Sequence, residues 1–251
     1  MAKSSKSPAL ACALAVLAVA VAIAAVAGSA TAQTATPVPE TPTGASNEAG
    51  CARDLATVVQ ARYDVVRDFK AGFRQQTRSV ALGGQSLGDD APSEGTVVFS
   101  KPGRMRWRYT RPRASEVISN GTTLWIVDPT VKEAQRLPVT EGYLTGAALE
   151  FLLGDGKLLE TFDVTAVDCA PDDQGLVELV LDPKTDASYE RLRLWANSNT
   201  GDIARTSLVD LFGNETEISF SQVVVNAPAE AGAFDYVPGP GVSVIDLTPS
   251  R

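Results

Sequence analysis

Apolar and polar positions alternate most strictly between Glu94 and Asp128. In Arg104-Met105-Arg106-Trp107-Arg108-Tyr109 the arginines fall on one face of an extended chain and Met105, Trp107 and Tyr109 on the other. A strand that separates cations from large rings covers something apolar with one face and meets water with the other. Val117, Trp125 and Val127 continue the theme, and Asn120-Gly121 is a strong hairpin signal between them. The pattern predicts a twisted antiparallel sheet with Trp107 and Trp125 available to one face.

The flanks are read the same way. From Cys51 to about Phe69 the spacing is helical, with Leu55, Val58, Val59, Arg62, Val66 and Phe69 advancing by three or four. The period then changes to two, and Phe69, Ala71 and Phe73 share a face that passes to Gln75. Leu82 to Ala91, rich in Gly and Asp, predicts a hairpin tip. A second, short and strongly apolar helix is expected at Leu144 to Leu153, stopped by Gly154-Asp155-Gly156. Such a short helix depends on packing rather than propensity, so it is the element expected to shift. Strands are predicted at Phe162–Cys169, Leu176–Leu181, Tyr189–Ala196, Ile203–Leu211 and Thr216–Val225, with a last short strand and cap around Phe234 to Val242. The fold class is therefore α+β, in one domain.

The first fifty residues differ. Lys3 and Lys6 precede an apolar run from Ala9 to Ala27, and Ala30-Thr31-Ala32 offers a small-x-small cleavage site. Residues 1–32 read as a secretory signal cut after Ala32, with an uncleaved membrane anchor as the alternative. Residues 33–48 are Pro/Thr/Ala-rich and read as a flexible leader, which leaves 49–251 as the domain. Cleavage removes two lysines and no acid, so the net charge falls from −8 to −10. That balance argues against nucleic acid and against passive adhesion to an anionic membrane. Of the 3 cysteines, Cys51 and Cys169 lie beyond the signal. In an exported protein such a pair suggests one disulfide, with two separate buried thiols as the alternative.

The chain has no histidine, which excludes Ser-His-Asp triads and His-ligated zinc. It has no Cys-x-x-Cys and no phosphate-cradling glycine loop, and Asp89-Asp90 and Asp172-Asp173 read as turn acids rather than a metal or acid/base pair. No cofactor or metal is expected, and enzyme function is disfavoured.

Several runs resemble one known family. They are Phe69-Lys70-Ala71-Gly72-Phe73-Arg74-Gln75, the Lys101-Pro102-Gly103-Arg104-Met105-Arg106-Trp107 stretch within Gly95 to Tyr109, Asn120-Gly121 with Leu124-Trp125, Leu149-Glu150-Phe151-Leu152-Leu153-Gly154, Asp210-x-x-Gly213-Asn214-x-Thr216 and Phe234-x-Tyr236-x-Pro238-x-x-Gly241-Val242. In order over about residues 51 to 245, they resemble the outer-membrane lipoprotein carrier proteins, the LolA family. The resemblance implies an unclosed antiparallel β-barrel, a strongly curved sheet, with helices forming a lid over an apolar cavity. It implies a monomeric periplasmic carrier that takes acylated lipoproteins from an inner-membrane ABC transporter and hands them to an outer-membrane receptor lipoprotein. A lipid- or lipoprotein-sensing domain of the same architecture is the alternative. In the family an arginine before a proline holds the lid by bonding lid backbone. Here that position is Lys101, with Arg104 as a nearby contributor. The expected cavity lining is Phe99, Met105, Trp107, Tyr109, Trp125, Leu149, Phe151 and Leu152.

Overall fold

The computed structural model describes residues 45–86, 91–139 and 156–248. Residues 1–44, with the expected signal and most of the expected leader, lie outside the described residues, as do Asp89-Asp90 and the expected short helix with Leu149, Phe151 and Leu152; the last leader residues, 45–48, are helical.

A helix, α1 (Ala45–Asp64), opens the domain. It ends sooner than the spacing predicts, because Val66 and Phe69 already belong to the passage into β1 (Asp68–Ser79). Its buried face is Ala52, Leu55, Ala56, Val59 and Tyr63. Tyr63, not Arg62, completes the stripe; Arg62 turns outward to pair with Asp202 at 2.7 Å.

After a turn and the short β2 (Gln85–Ser86), a meander follows: β3 (Ser93–Ser100), β4 (Arg104–Arg111), β5 (Ser115–Asn120), β6 (Thr123–Asp128) and β7 (Glu133–Pro138). A one-turn helix, α2 (Leu158–Thr161), leads into β8 (Phe162–Ala166), β9 (Leu176–Pro183), β10 (Tyr189–Asn197), β11 (Ile203–Asp210) and β12 (Glu215–Val225). These five lie within a few residues of the segments predicted from period-two spacing and turn residues. The last strand is displaced from its expected place. Residues 226–242 form turns, and β13 (Ser243–Asp246) comes after them.

All thirteen strands join one sheet in the order β13-β7-β6-β5-β4-β3-β1-β12-β11-β10-β9-β8, with β2 paired beside β1. Every pairing is antiparallel except β13 on β7. Among the described residues β8 and β13 end the order unpaired with each other, so the curved sheet is an unclosed barrel. Its inner face and α1 share one core, which runs from Phe69, Phe73 and Phe99 through Leu179, Leu192 and Ile203 to Leu55 and Val59.

Two glycines make this packing possible. Gly201 sits at φ +72 in the β10–β11 turn, where a Cβ would lie 2.7 Å from the Val58 carbonyl oxygen; the turn therefore docks directly on the helix backbone. Gly95 lies between Phe73 on β1 and Tyr109 on β4 in the ladder. With no side chain there, the two rings meet edge to face at 5.0 Å. The Cys51 and Cys169 sulfurs are bonded, which ties α1 to the β8–β9 loop across a separation of 118 residues with the Cα atoms 6.1 Å apart.

A Cβ on Gly95 would run into the Arg108 carbonyl and the Phe73 ring. Gly95→Ala is expected to destabilise the fold by about 3 kcal/mol through forced overpacking. Urea unfolding followed by tryptophan fluorescence measures this. An unchanged midpoint would show that the ladder yields easily at that point.

Candidate functional site

The inner wall is built by strand alternation. On β4, Met105, Trp107 and Tyr109 point inward and oppose Phe99, Val97 and Gly95 of β3. Trp107 stands at the centre, with ring centroids 4.7 Å from Phe73, 5.8 Å from Phe99 and 6.4 Å from Tyr109. Phe99, Met105 and Trp107 are buried in this wall and Tyr109 packs on it half-buried.

Polar groups on the wall are few. The Tyr109 hydroxyl donates to Gln75 Oε1 at 2.9 Å. The Trp107 indole Nε1–H is buried and has no hydrogen-bond partner among the described residues. A buried, unmade hydrogen bond costs about 1–3 kcal/mol, so this donor is an exception in an otherwise satisfied surface.

The helix that covers the wall is fastened at its C-terminal turn. Lys101, in the β3–β4 turn, donates from Nζ to the Tyr63 carbonyl oxygen at 2.8 Å. That carbonyl is among those a helix end leaves without a partner, and the helix dipole favours a cation there. From the position before the proline, the ammonium thus bonds the backbone of α1. Around it, Gln60 donates to Asp64 Oδ1 at 2.7 Å and to the Gly156 carbonyl at 3.1 Å, and its Oε1 accepts from the Leu158 N–H at 2.8 Å. The Gln60 amide, followed by the Lys157 and Lys101 ammonium groups, holds the Asp64 carboxyl below its ordinary range. Asn226, at φ 56, braces the helix-to-strand passage: its Oδ1 accepts from Arg67 N–H, and its side-chain amide donates to the Val65 carbonyl. Gln60, Tyr63 and Asn226 carry no chemical signature in the sequence; only their placement around one helix end shows their role.

Two expected site residues face the other way. Trp125 opposes Ile118, which opposes Arg106, so Trp125 shares the arginine face. It packs against Tyr236 at 5.2 Å, away from the inner wall. The reason is the hairpin register: Ser119 pairs with Leu124, which turns Leu124 and Ile126 inward and Trp125 outward. Such one-residue choices flip every side chain. Arg104 also lies on the outer face, over the Phe234 ring at 5.4 Å and bonded to Ser100 Oγ. It has no place in the fastening of α1. The arginine row instead braces the strap of residues 226–242: Arg106 pairs with Glu116 at 2.6 Å and donates to the Ala233 carbonyl at 3.2 Å. Between strap and sheet opens a cleft of about 660 Å³, lined by cations and carboxylates including Arg67, Lys101, Arg104, Glu230 and Asp235. Its mixed charge does not suit a hydrocarbon tail. Asp172 accepts the Gln174 and Leu176 amides and shapes a turn.

The chain matches the family model for outer membrane lipoprotein carrier protein LolA over residues 64–237. The outer-membrane lipoprotein carrier protein of Methylibium petroleiphilum is 32% identical over 154 residues, covering 61% of this chain and 72% of that protein. The protein of the same description from Cupriavidus pinatubonensis is 29% identical over 200 residues, covering 77% and 92%. Among solved structures, a LolA superfamily protein from Nitrosomonas europaea aligns at 12% identity with a TM-score of 0.41, over 74% of this chain and 97% of that one.

Tyr63 links the helix end to the sheet, its hydroxyl oxygen accepting the Ile203 N–H at 3.3 Å. Burial pushes its phenol up to about 12, against an ordinary 10.0. The folded state holds that proton more tightly than the unfolded chain does. Its stabilisation is therefore complete below pH 10 and is lost as pH rises toward 12. Urea midpoints of wild type and Tyr63→Phe, compared from pH 8 to 12, test this. The difference between them should shrink above pH 10, and a constant difference would contradict the assignment.

Proposed function

Because the chain belongs to the outer-membrane lipoprotein carrier protein family, LolA, we propose that it is a periplasmic carrier for acylated lipoproteins. It binds the acyl chains of lipoproteins released by an inner-membrane ABC transporter and passes them to a receptor lipoprotein at the outer membrane. Residues 1–32 direct export and are removed after Ala32, the residues up to the start of α1 at Ala45 form a leader, and the remainder carries the cargo as a monomer.

The observation that supports this reading is the aromatic inner wall packed under a helix whose last turn receives an ammonium-to-carbonyl bond from Lys101. Each acyl methylene left in water costs about 0.8 kcal/mol, so a lipoprotein cannot cross an aqueous gap unshielded. A carrier needs an apolar surface that is covered when empty and uncovered when loaded. The cover must be only modestly more stable closed than open, or cargo could never displace it. A charge-assisted hydrogen bond, worth about 1.5–3 kcal/mol, has a suitable size. Within the wall Phe99, Met105, Trp107 and Tyr109 are the proposed lining of the acyl site.

The mature chain, incubated with lipoprotein-loaded inner-membrane vesicles, transporter and ATP, should yield a soluble one-to-one complex with lipoprotein. Failure to extract any lipoprotein would overturn the reading. Lys101→Leu removes a contact made in the closed, empty state. It should fold, bind lipoprotein about tenfold more tightly and release it poorly to outer-membrane vesicles. Normal transfer by that variant would remove Lys101 from the fastening.

A further inference from the structure

The Trp107 indole N–H is a donor that an apolar lining does not need and that, among the described residues, finds no partner on the inner wall. The ring sits between Val97 and Val117 in the ladder and against Phe73 and Phe99. None of these side chains can accept a hydrogen bond. A phenylalanine would fill the same wall without burying an idle donor. Tyr109, its neighbour on β4, has a partner for its hydroxyl in Gln75. Among the described residues, the only other buried side-chain donor left without a partner is Arg193 Nε, on a different strand.

An acyl chain is hydrocarbon except at its head, where an ester or amide carbonyl presents an oxygen. That oxygen is an acceptor, and an indole N–H is a donor only. We propose that Trp107 Nε1–H donates to an acyl carbonyl of the bound cargo, so that the wall recognises where an acyl chain begins as well as its greasiness. This inference rests on the carrier reading. When α1 covers the wall the donor is idle; when cargo displaces the cover the donor is satisfied. The bond therefore exists only in the loaded state and favours it, opposing the Lys101–Tyr63 bond that favours the empty one. It also discriminates: a site built to donate to a carbonyl rejects an otherwise equal ligand that lacks one.

The test uses dimyristoylglycerol and its di-O-tetradecyl ether counterpart, which differ at the two carbonyls. Each competes with an environment-sensitive apolar dye on the mature protein. Wild type should bind the ester about fivefold more tightly than the ether, as one added hydrogen bond allows. Trp107→Phe should bind both alike, at the wild-type ether affinity. The Trp107 indole N–H resonance of wild type, followed by ¹⁵N–¹H NMR, should move downfield with the ester and not with the ether. This readout needs no variant and holds even if Trp107→Phe folds poorly. An unmoved resonance, or a Trp107→Phe loss equal for both compounds, would overturn the proposal while leaving the carrier reading intact. If wild type binds neither compound, the carrier reading falls and this inference with it.

Discussion

A curved sheet lined with phenylalanine and tryptophan cannot stand open to water. Burying such a wall is worth several kcal/mol, far more than any single polar contact in the molecule. The rest of the structure follows from how that burial is arranged. The wall is closed by a helix that shares its core, and the last turn of the helix is held from the sheet by the Lys101 ammonium. Hydrophobic burial is non-directional, so it decides that the wall is covered. The hydrogen bonds of Lys101, Gln60 and Tyr63 decide where the cover sits.

The two faces of the sheet divide the labour. Arg104, Arg106 and Arg108 leave the inner face of β4 free of charge and organise the outside instead. Arg106 and Arg108 share Glu116, and Arg104 and Arg106 hold Phe234 and Ala233 of the C-terminal strap. Trp125 and Tyr236 add an aromatic contact to the strap from the same side. The outer face is thus held by ion pairs and ring contacts, the inner one by apolar packing under α1.

Much of this was legible in the chain. Period-two alternation placed β1, β4 and the five strands from β8 to β12, because a sheet with one wet face writes its register into every second residue. The same rule placed Met105, Trp107 and Tyr109 on a common wall. It failed for Trp125 because periodicity identifies the faces of one strand but not how two strands align; that was set at the Gly121-Thr122 tip by the pairing of Ser119 with Leu124. It also carried α1 past Asp64, since Val66 and Phe69 satisfy a helical spacing and an inward strand equally. Arg104 was read as a contributor to the fastening by nearness in sequence, yet strand alternation sends it to the far side from α1. Gln60, Tyr63 and Asn226 were invisible because their importance lies in carbonyls and amides brought together by the fold.

The Cys51–Cys169 bond has a mechanical consequence. Cys51 and Tyr63 are separated along α1 by about 18 Å at 1.5 Å per residue. Near its start the helix is joined to the β8–β9 loop by this bond, and at its finish only residues 65–67 separate it from β1. A bar tethered to the sheet at both places cannot leave as a free body, so whatever freedom α1 has is a tilt between two fixed points.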